Sequence, residues 1–257
     1  MKQLTDFTVI AVDHYGTLYS RLRVTPADPW HQLPAIKPGQ FVQIAVETPG
    51  VLLRRPISIN DVDPEARTID LLIRRAGRGT AALTALSPGA TINILLPLGN
   101  DFTINDIPTS SRLLLIGGGV GVAPLLYLAR CLRQKGYKPE FLLGARSASD
   151  LLLLPEFSAL GTVHVSTEDG SMGEKGFVTV HSALSGEIDR IYCCGPSPMM
   201  KAVASIARDR NIDCEVSLEN MMACGLGACL CCVENTVKGN VCVCTEGPVF
   251  NIKMLNW

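Results

Sequence analysis

Six of the ten cysteines in this 257-residue chain lie close together near its C-terminal end. Cys224, Cys229 and Cys232 have the spacing C-x4-C-x2-C, which matches the first three ligands of plant-type 2Fe–2S centres. Cys242 or Cys244 can supply a fourth thiolate, and the spacing alone leaves that choice open. The segment has only a small apolar core of its own, so a bound metal centre could organise it. The sequence therefore predicts a 2Fe–2S-binding segment.

The glycines inside the cysteine run fit the same interpretation. A sulfide-bridged cluster carries net negative charge, so the chain must turn tightly around it with backbone N–H groups directed at the sulfurs. Gly225 and Gly227 permit the conformations that such a loop needs. We expect both glycines to lie in a tight turn.

Two other interpretations of the cysteines stay open. Four thiolates also hold structural zinc, although zinc usually sits between two short cysteine pairs, a pattern that this spacing fits less well. The thiols can also be unligated. A Rieske centre would need two histidines, and all four histidines lie at or before residue 181. Disulfides are disfavoured in a reducing cytosol, so ten cysteines favour a metal site in an intracellular protein.

The first hundred residues predict a small antiparallel β-barrel. Short segments rich in β-branched, aromatic or aliphatic residues alternate with turn residues such as Lys37-Pro38-Gly39 and Ser87-Pro88-Gly89. The predicted strands are Phe7–Val12, Phe41–Val46, Ile57–Asn60, Thr68–Arg74 and Thr91–Leu96. A loop at Gly77–Thr80 leads into a predicted helix over Ala81–Leu86.

The pattern changes near residue 108, where a polar linker precedes alternating strands and helices. Mostly apolar runs are typical of buried parallel strands, and alternation with helices predicts a doubly wound parallel sheet. The predicted strands are 112–116, Glu140–Gly144, Val163–Ser166 and Arg190–Cys194, and the predicted helices include Pro124–Gln134 and Pro198–Asp209.

Three further stretches are weak signals when each is taken alone. Gly117–Pro124 follows a strand and opens a helix, the usual place of a pyrophosphate, but it does not match G-x-G-x-x-G. Arg55 could neutralise a phosphate, and Ser58 could donate to a flavin ring edge. The alternatives are a structural turn, a solvated strand edge and a plain loop at Gly79-Thr80.

Taken together, these stretches resemble the motifs of the ferredoxin-reductase-like flavoproteins. Arg55-Pro56-Ile57-Ser58 resembles the R-x-x-S flavin motif of that family, and Gly79-Thr80 resembles its phosphate-contacting G-T. Gly117–Pro124 is similar to its G-G-G-x-G-x-x-P nicotinamide turn. Cys194–Met200 is similar to its C-G-P-x-P-M-M segment near the nicotinamide.

Within that superfamily the chain resembles, over essentially its whole length, the electron-transfer subunits of class 1B dihydroorotate dehydrogenases. The similar stretches include Arg54–Ile59, Met222–Cys229 and Cys244–Phe250. The resemblance implies that Cys244 is the fourth ligand and that Cys231 and Cys242 are not ligands. Family members often carry a small residue such as Ala where Cys231 stands, so an extra thiol lies near the cluster here.

The resemblance assigns residues to three sites. The FAD site comprises Arg55, Pro56, Ile57, Ser58, Leu72, Ile73, Arg74, Gly79 and Thr80. The NAD site comprises Gly117, Gly118, Gly119, Gly121, Pro124, Cys194, Gly195 and Pro196. The metal ligands are Cys224, Cys229, Cys232 and Cys244. Hydride exchange evidently requires no general acid or base, so Ser58 and Cys194 are candidates for positioning only, with a strand-edge hydroxyl and a buried thiol as the alternatives.

The implied organisation has three parts: an FAD-binding β-barrel over 1–107, an NAD-binding doubly wound domain over 108–215, and a 2Fe–2S segment over 216–257. The resemblance implies that electrons from dihydroorotate start at FMN in a separate catalytic subunit. They cross the 2Fe–2S centre to FAD and then reach NAD, in pyrimidine biosynthesis. FAD stands between the other two carriers because it exchanges both single electrons and hydride. The implied assembly contains two copies of each subunit.

Two other functions compete with this one. The small subunit of an NADH-dependent ferredoxin:NADP oxidoreductase has similar parts, but its partner is a different flavoprotein. Its family can replace one thiolate by a carboxylate, so the four available cysteines here slightly favour the dihydroorotate function. A zinc-stapled, non-redox binding protein is the more distant alternative. The resemblance favours NAD, although Arg146 could meet a 2′-phosphate, which Asp150 would oppose.

Charge and hydropathy exclude some other classes of function. The formal net charge is -1, and the basic residues are not clustered, so neither nucleic acid nor an anionic membrane is an expected partner. The apolar runs are too short to cross a bilayer, and the first residues do not resemble a signal peptide. We therefore expect a cytoplasmic protein.

Overall fold

A computed structural model describes residues 2–105 and 107–257. The first part of the chain forms a closed antiparallel barrel of six strands in the order β1-β2-β5-β4-β3-β6. The strands are β1 (Gln3–Tyr15), β2 (Tyr19–Pro26), β3 (Phe41–Ile44), β4 (Arg55–Asp63), β5 (Thr68–Arg74) and β6 (Thr91–Leu98). Helix α1 (Arg78–Thr84) lies between β5 and β6. The predicted barrel is confirmed.

The interior of the barrel is filled by alternate side chains from its strands, because successive residues of a strand point to opposite faces. Phe7, Leu22, Ile44 and Leu71 are fully buried members of this core. Each such side chain contributes about 1.5–3 kcal/mol by leaving water. The outward-facing residues are therefore the ones available for binding.

Strand β2 was missing from the sequence-based prediction. It reads as a polar segment because its outward positions carry Arg21 and Arg23. Arg23 donates two hydrogen bonds of 2.7 Å to the buried Asp70 carboxylate on β5. The negative charge that balances Arg23 lies on a neighbouring strand, so the sequence of β2 alone does not reveal it.

The second part of the chain forms a seven-stranded sheet in the order β10-β9-β8-β7-β11-β12-β15. Its strands are β7 (Leu113–Gly118), β8 (Glu140–Ala145), β9 (Thr162–Thr167), β10 (Glu174–Lys175), β11 (Arg190–Cys194), β12 (Asp213–Ser217) and β15 (Val249–Asn251). The associated helices are α2 (Ala123–Gln134), α3 (Leu154–Ser158) and α4 (Ser197–Asp209). From β7 the chain adds β8 and β9 on one side, and then returns to add β11 and β12 on the other side of β7. In doubly wound folds the usual binding crevice lies at this point, between β7 and β11.

The sheet differs from the fully parallel one that the sequence predicts. Six strands run parallel, but the edge strand β15 runs antiparallel to β12. Strand β12 was not predicted, because Asp213 and Glu215 interrupt its apolar pattern. Both carboxylates have partners: Asp213 accepts from Asn251 at 2.7 Å, and Glu215 accepts from the backbone N–H of Thr103 at 2.9 Å.

The C-terminal cysteine region is mostly irregular. It contains a two-stranded sheet of β13 (Val233–Thr236) and β14 (Gly239–Cys242), followed by the single helical turn α5 (Val243–Glu246).

Short 3-10 turns lie outside this region, at Gly119–Val122, Ala148–Asp150, Val178–Val180, Ser182–Leu184 and Ile252–Met254.

The described residues divide into two compact units. The first combines the chain up to Asp101 with Glu219–Glu234 and Asn240–Pro248, so it holds the barrel and all six clustered cysteines. The second combines Phe102–Leu218 with Asn235–Gly239 and Val249–Trp257. None of the helices among the described residues has the length and apolar character that crossing a membrane requires.

Candidate functional site

The backbone of the cysteine loop turns tightly, as the glycines predict. Gly225 and Gly227 have φ angles of +70° and +83°, in the region that L side chains rarely adopt. These turns direct backbone N–H groups at sulfur. Leu226 donates to Cys224 Sγ at 3.3 Å, and Gly227 donates to Cys244 Sγ at 3.2 Å. The loop thus presents the positive ends of peptide dipoles where thiolates would lie.

The cysteine side chains lie in two groups. Cys224 has Cys229 as a side-chain partner, and Cys232 has both Cys242 and Cys244. The N–H of Cys244 donates to Cys232 Sγ at 3.4 Å. A 2Fe–2S cluster takes two ligands on each of its two irons, and each group offers at least two sulfurs. Among the described residues, no three His, Cys, Asp or Glu side chains are arranged to hold a single metal ion.

The environments of the thiols differ across the loop. The N–H groups of Leu226 and Cys229 lower the pKa of the Cys224 thiol to about 6, because they stabilise the thiolate. Burial instead raises the pKa of Cys244 to about 12. A metal that binds both sulfurs would have to displace a proton from Cys244.

The surroundings of Cys242 and Cys244 favour Cys244 as the fourth ligand. The Cys244 side chain is fully buried, and its sulfur accepts an N–H bond from Gly227 that would stabilise a metal-bound thiolate. Cys242 is half-buried, and its sulfur faces the carbonyl oxygen of Gly227 at 3.8 Å, which requires a protonated thiol as donor. Cys231 is exposed.

Outside the loop, Cys193, Cys194 and Cys214 are buried in the sheet, whereas Cys131 is half-buried on helix α2. Burial raises the pKa of Cys193 well above its usual range and that of Cys214 to about 12. Such thiols stay protonated and behave as small apolar side chains.

The cysteine segment is fastened to the barrel. After the fourth candidate ligand, the carbonyl oxygens of Glu246 and Gly247 accept hydrogen bonds from the side chain and backbone of Asn100, at 2.9 and 2.6 Å. Gly99 leaves room for this contact, because a Cβ there would lie 2.5 Å from Pro248. The candidate ligands are thereby held against the end of strand β6.

Two flavin motifs that are distant in the sequence meet in the structure. The half-buried Arg55 at the start of β4 lies over Gly79 at the start of α1. A Cβ on Gly79 would lie only 2.3 Å from Arg55 Nε, so a larger residue would push the guanidinium away. Arg55 otherwise donates to the backbone oxygens of Leu53 and Arg54, at 2.6 and 3.3 Å. These contacts leave its charge available to a phosphate.

The neighbouring side chains have structural roles in the same region. Arg54 donates to the backbone and side-chain oxygens of Asn93, at 3.1 and 2.6 Å, and so ties the motif to strand β6. The Thr80 hydroxyl accepts from the N–H groups of Ala76 and Gly77, at 2.9 and 3.1 Å. Thr80 therefore holds the loop in shape, while Arg55 supplies the charge.

The remaining six flavin candidates differ in how deeply the barrel buries their side chains. Ile57 and Ile73 belong to the barrel core, so only their backbone can face a ligand. Ser58 is half-buried on β4, and Arg74 is exposed at the end of β5. The other two candidates in this region are the half-buried Pro56 and the buried Leu72.

The two nicotinamide motifs also meet, at the ends of adjacent strands. Gly117 on β7 pairs with Cys194 on β11, at the point where the strand order reverses. A Cβ on Gly121 would lie 2.5 Å from the Cys194 carbonyl oxygen and from Gly195 Cα. The glycine turn and the end of β11 therefore pack together at the binding crevice. Gly119 has a φ of +55°.

The other candidates surround this contact. A Cβ on Gly118 would lie 2.6 Å from Met199 Sδ, which packs the C-G-P-x-P-M-M segment on the glycine turn. Pro124 lies in the first turn of α2, Pro196 is exposed, and the Cys194 side chain is buried.

One polar residue beside the cysteine loop was not identified from the sequence. Gln43 on β3 is fully buried and lies against Gly225 of the cysteine loop. The signal that could have revealed it is a single amide in the otherwise apolar strand Phe41–Ile44.

Two family models match the chain. The iron–sulfur cluster binding domain of dihydroorotate dehydrogenase B matches residues 219–256, and the oxidoreductase NAD-binding domain matches residues 115–205. The first model covers the six clustered cysteines, and the second covers both nicotinamide motifs.

Curated relatives match over most of the chain. The dihydroorotate dehydrogenase B (NAD(+)) electron transfer subunit of Shouchella clausii is 42% identical over 222 residues, which cover 84% of this chain and 85% of the relative. The subunit of the same name from Listeria monocytogenes serotype 4a is 44% identical over 220 residues, with the same coverage.

Solved structures share the fold. That of an NADH-dependent reduced ferredoxin–NADP oxidoreductase has a TM-score of 0.85 and 29% identity, and the match covers 98% of this chain and 90% of that one. The FAD/NAD-binding domain of a nitric oxide dioxygenase from Vibrio cholerae has a TM-score of 0.70 and 20% identity, and the match covers 82% of this chain and 98% of that one.

The ligand assignment is tested by single serine substitutions. We expect serine at Cys224, Cys229, Cys232 or Cys244 to remove most of the visible cluster absorbance or to abolish soluble expression, because each removes one iron ligand. Cys231→Ser and Cys242→Ser are the matched controls and should keep the spectrum. A cluster that survives Cys244→Ser but is lost in Cys242→Ser would show that the fourth ligand is misassigned.

The role of Arg55 is tested by flavin retention. Arg55→Ala removes one charge-assisted contact to phosphate, worth about 1.5–3 kcal/mol. The expected loss of FAD affinity is about tenfold to a hundredfold, measured by flavin content after dilution and gel filtration. Arg21→Ala removes an arginine of the same barrel that pairs with Asp13, and it should leave the flavin content unchanged. Equal retention in both variants would contradict the assignment.

Proposed function

The chain belongs to the family of dihydroorotate dehydrogenase B electron transfer subunits, and we propose that it carries electrons between the catalytic subunit of such an enzyme and NAD. In this proposal FAD binds the barrel over 1–107, NAD binds the doubly wound domain over 108–215, and a 2Fe–2S cluster binds the segment over 216–257. The identities of 42–44% to curated subunits of this name support the proposal.

One structural observation carries the proposal furthest. The cysteine loop and the flavin motif belong to the same compact unit, and the loop packs on the barrel strand that pairs with the motif. Gly225 contacts Gln43, and Gln43 pairs across the strands with Pro56 of the R-x-x-S motif. A one-electron carrier is useful to a flavin only at short range, and this arrangement supports that use.

The residues of the chain bind and orient the carriers, and none is required to act as a general acid or base. Arg55 neutralises a flavin phosphate, and Ser58 offers a hydroxyl to the ring edge. The crevice between β7 and β11 takes the dinucleotide, and the backbones at Gly121 and Cys194 meet at this crevice. When bound, FAD exchanges hydride with nicotinamide and single electrons with the cluster.

The surface around the cysteine loop supports a protein partner. Leu226 and Leu230 are 50% and 65% exposed, and Met221 is 85% exposed. Cys229 is the exposed member of the proposed ligand set, so electrons would enter the chain on this side. An apolar surface at the point of electron entry fits a docking face. We assign this face to an FMN-containing catalytic subunit, in an assembly with two copies of each chain.

A second candidate is the small subunit of an NADH-dependent ferredoxin:NADP oxidoreductase. The match of 98% of this chain at a TM-score of 0.85 favours it. Its identity is 29%, against 42–44% for the dihydroorotate dehydrogenase B subunits, so the dihydroorotate function is preferred.

The division of labour between subunits is tested by reconstitution. Abstraction of a proton from dihydroorotate needs a base beside the reacting carbon, and neither flavin nor nicotinamide motif supplies one. We expect the purified chain to oxidise NADH with an artificial acceptor dye but not to turn over dihydroorotate. NAD reduction by dihydroorotate should appear when the catalytic subunit is added. Robust turnover by the chain alone would overturn the proposal.

The docking face is tested in the same assay. Leu230→Asp places a charge on the apolar surface, so it should weaken the coupled reaction at least tenfold while leaving NADH–dye activity unchanged. Leu4→Asp is the matched control, because Leu4 is 60% exposed on strand β1 of the barrel. Equal coupled activity in the two variants would count against this face.

A further inference from the structure

Gln43 lies in an unusual position for an uncharged polar side chain. It is fully buried on β3, whose neighbouring residues Val42 and Ile44 point into the barrel core. Because side chains alternate along a strand, Gln43 points out of the barrel instead. Its burial therefore comes from what packs on the outside of β3.

The cysteine loop is part of what covers Gln43. A Cβ built on Gly225 would lie 2.8 Å from Gln43 Nε2 and 2.9 Å from Cδ. Gly225 directly follows Cys224, the first candidate ligand. The carboxamide therefore lies against the backbone that shapes the sulfur-binding loop.

The carboxamide has no protein partner in the part of the chain that the structure describes. Both Nε2 and Oε1 are buried without a hydrogen bond. An unsatisfied buried polar group costs about 1–3 kcal/mol, so most such groups in native proteins have a partner. A partner that is not protein, bound at the cysteine loop or the flavin motif, would satisfy this amide.

The strand register places the same side chain beside the flavin motif. Gln43 is directly opposite Pro56, and Phe41 is directly opposite Ser58. Opposed residues of an antiparallel pair share one face, so Gln43 shares a face with Pro56 and Ser58 of the R-x-x-S motif. The amide is thus between the two candidate cofactor sites of this unit.

We propose that Gln43 is a positioning residue whose carboxamide N–H donates a hydrogen bond to a sulfur of the 2Fe–2S centre beside Gly225. This inference rests on the proposed function. A donor to sulfur stabilises the extra electron of the reduced cluster and raises its reduction potential. Gln43 thereby adjusts how readily the cluster accepts an electron from the catalytic subunit and passes it to FAD.

The test is the midpoint potential of the cluster, followed by its visible spectrum or electron paramagnetic resonance in the purified chain. Gln43→Met keeps the size of the side chain and removes its donor. The expected change is a shift of about tenfold in the reduction equilibrium towards the oxidised cluster, which is about 59 mV for one electron. The flavin potential should not move. Gln43→Glu, studied at mildly alkaline pH, should shift the cluster potential at least as far, because it places negative charge beside the cluster.

Gln40→Met is the matched control. Its amide is fully paired, donating to Gly99 O at 2.9 Å and accepting from Lys37 N–H at 2.8 Å, so its loss should leave the cluster potential unchanged. A shift of the flavin potential alone, or no shift in either Gln43 variant, would overturn this inference and leave the proposed function standing. A purified wild-type chain with no cluster signal would overturn both.

Discussion

Backbone N–H groups directed at sulfur are the interaction on which the cysteine segment depends. Thiolates and bridging sulfides concentrate negative charge, and burial of that charge requires nearby dipoles. Leu226, Gly227 and Cys244 supply these N–H groups. The loop can supply them only because Gly225 and Gly227 adopt positive φ angles. The chemistry of the metal centre thus determines which residues the loop contains.

Close backbone approach through glycine organises all three candidate sites. Gly79 admits the Arg55 guanidinium, Gly121 admits the backbone of the neighbouring strand end, and Gly225 admits the Gln43 amide. In each case, residues far apart in the sequence meet because one of them has no side chain. A Cβ at Gly121 would meet backbone atoms, which cannot move aside as a flexible side chain can.

Much of this architecture could be predicted from local sequence patterns. The barrel, the parallel strands β7, β8, β9 and β11, and helices α2 and α4 have apolar periodicities that stand out alone. Strands β2 and β12 were not predicted, because charged residues in a single segment indicate a solvated stretch. In the fold these residues have partners, which are Asp70 for β2 and Asn251 and Thr103 for β12. The antiparallel strand β15 pairs with β12 across more than thirty residues, so no local pattern indicates it. The predicted helix 81–86 instead covers Arg78–Thr84, because Thr80 caps its first turn.

An anaerobic reductive titration that counts electrons measures directly whether one chain carries both a flavin and a 2Fe–2S cluster. FAD takes two electrons and a 2Fe–2S cluster takes one, so dithionite should deliver about three electrons per chain before the spectrum stops changing. The last species should show an electron paramagnetic resonance signal from the reduced cluster. An end point at about two electrons without that signal would show that the cysteine loop holds no redox centre.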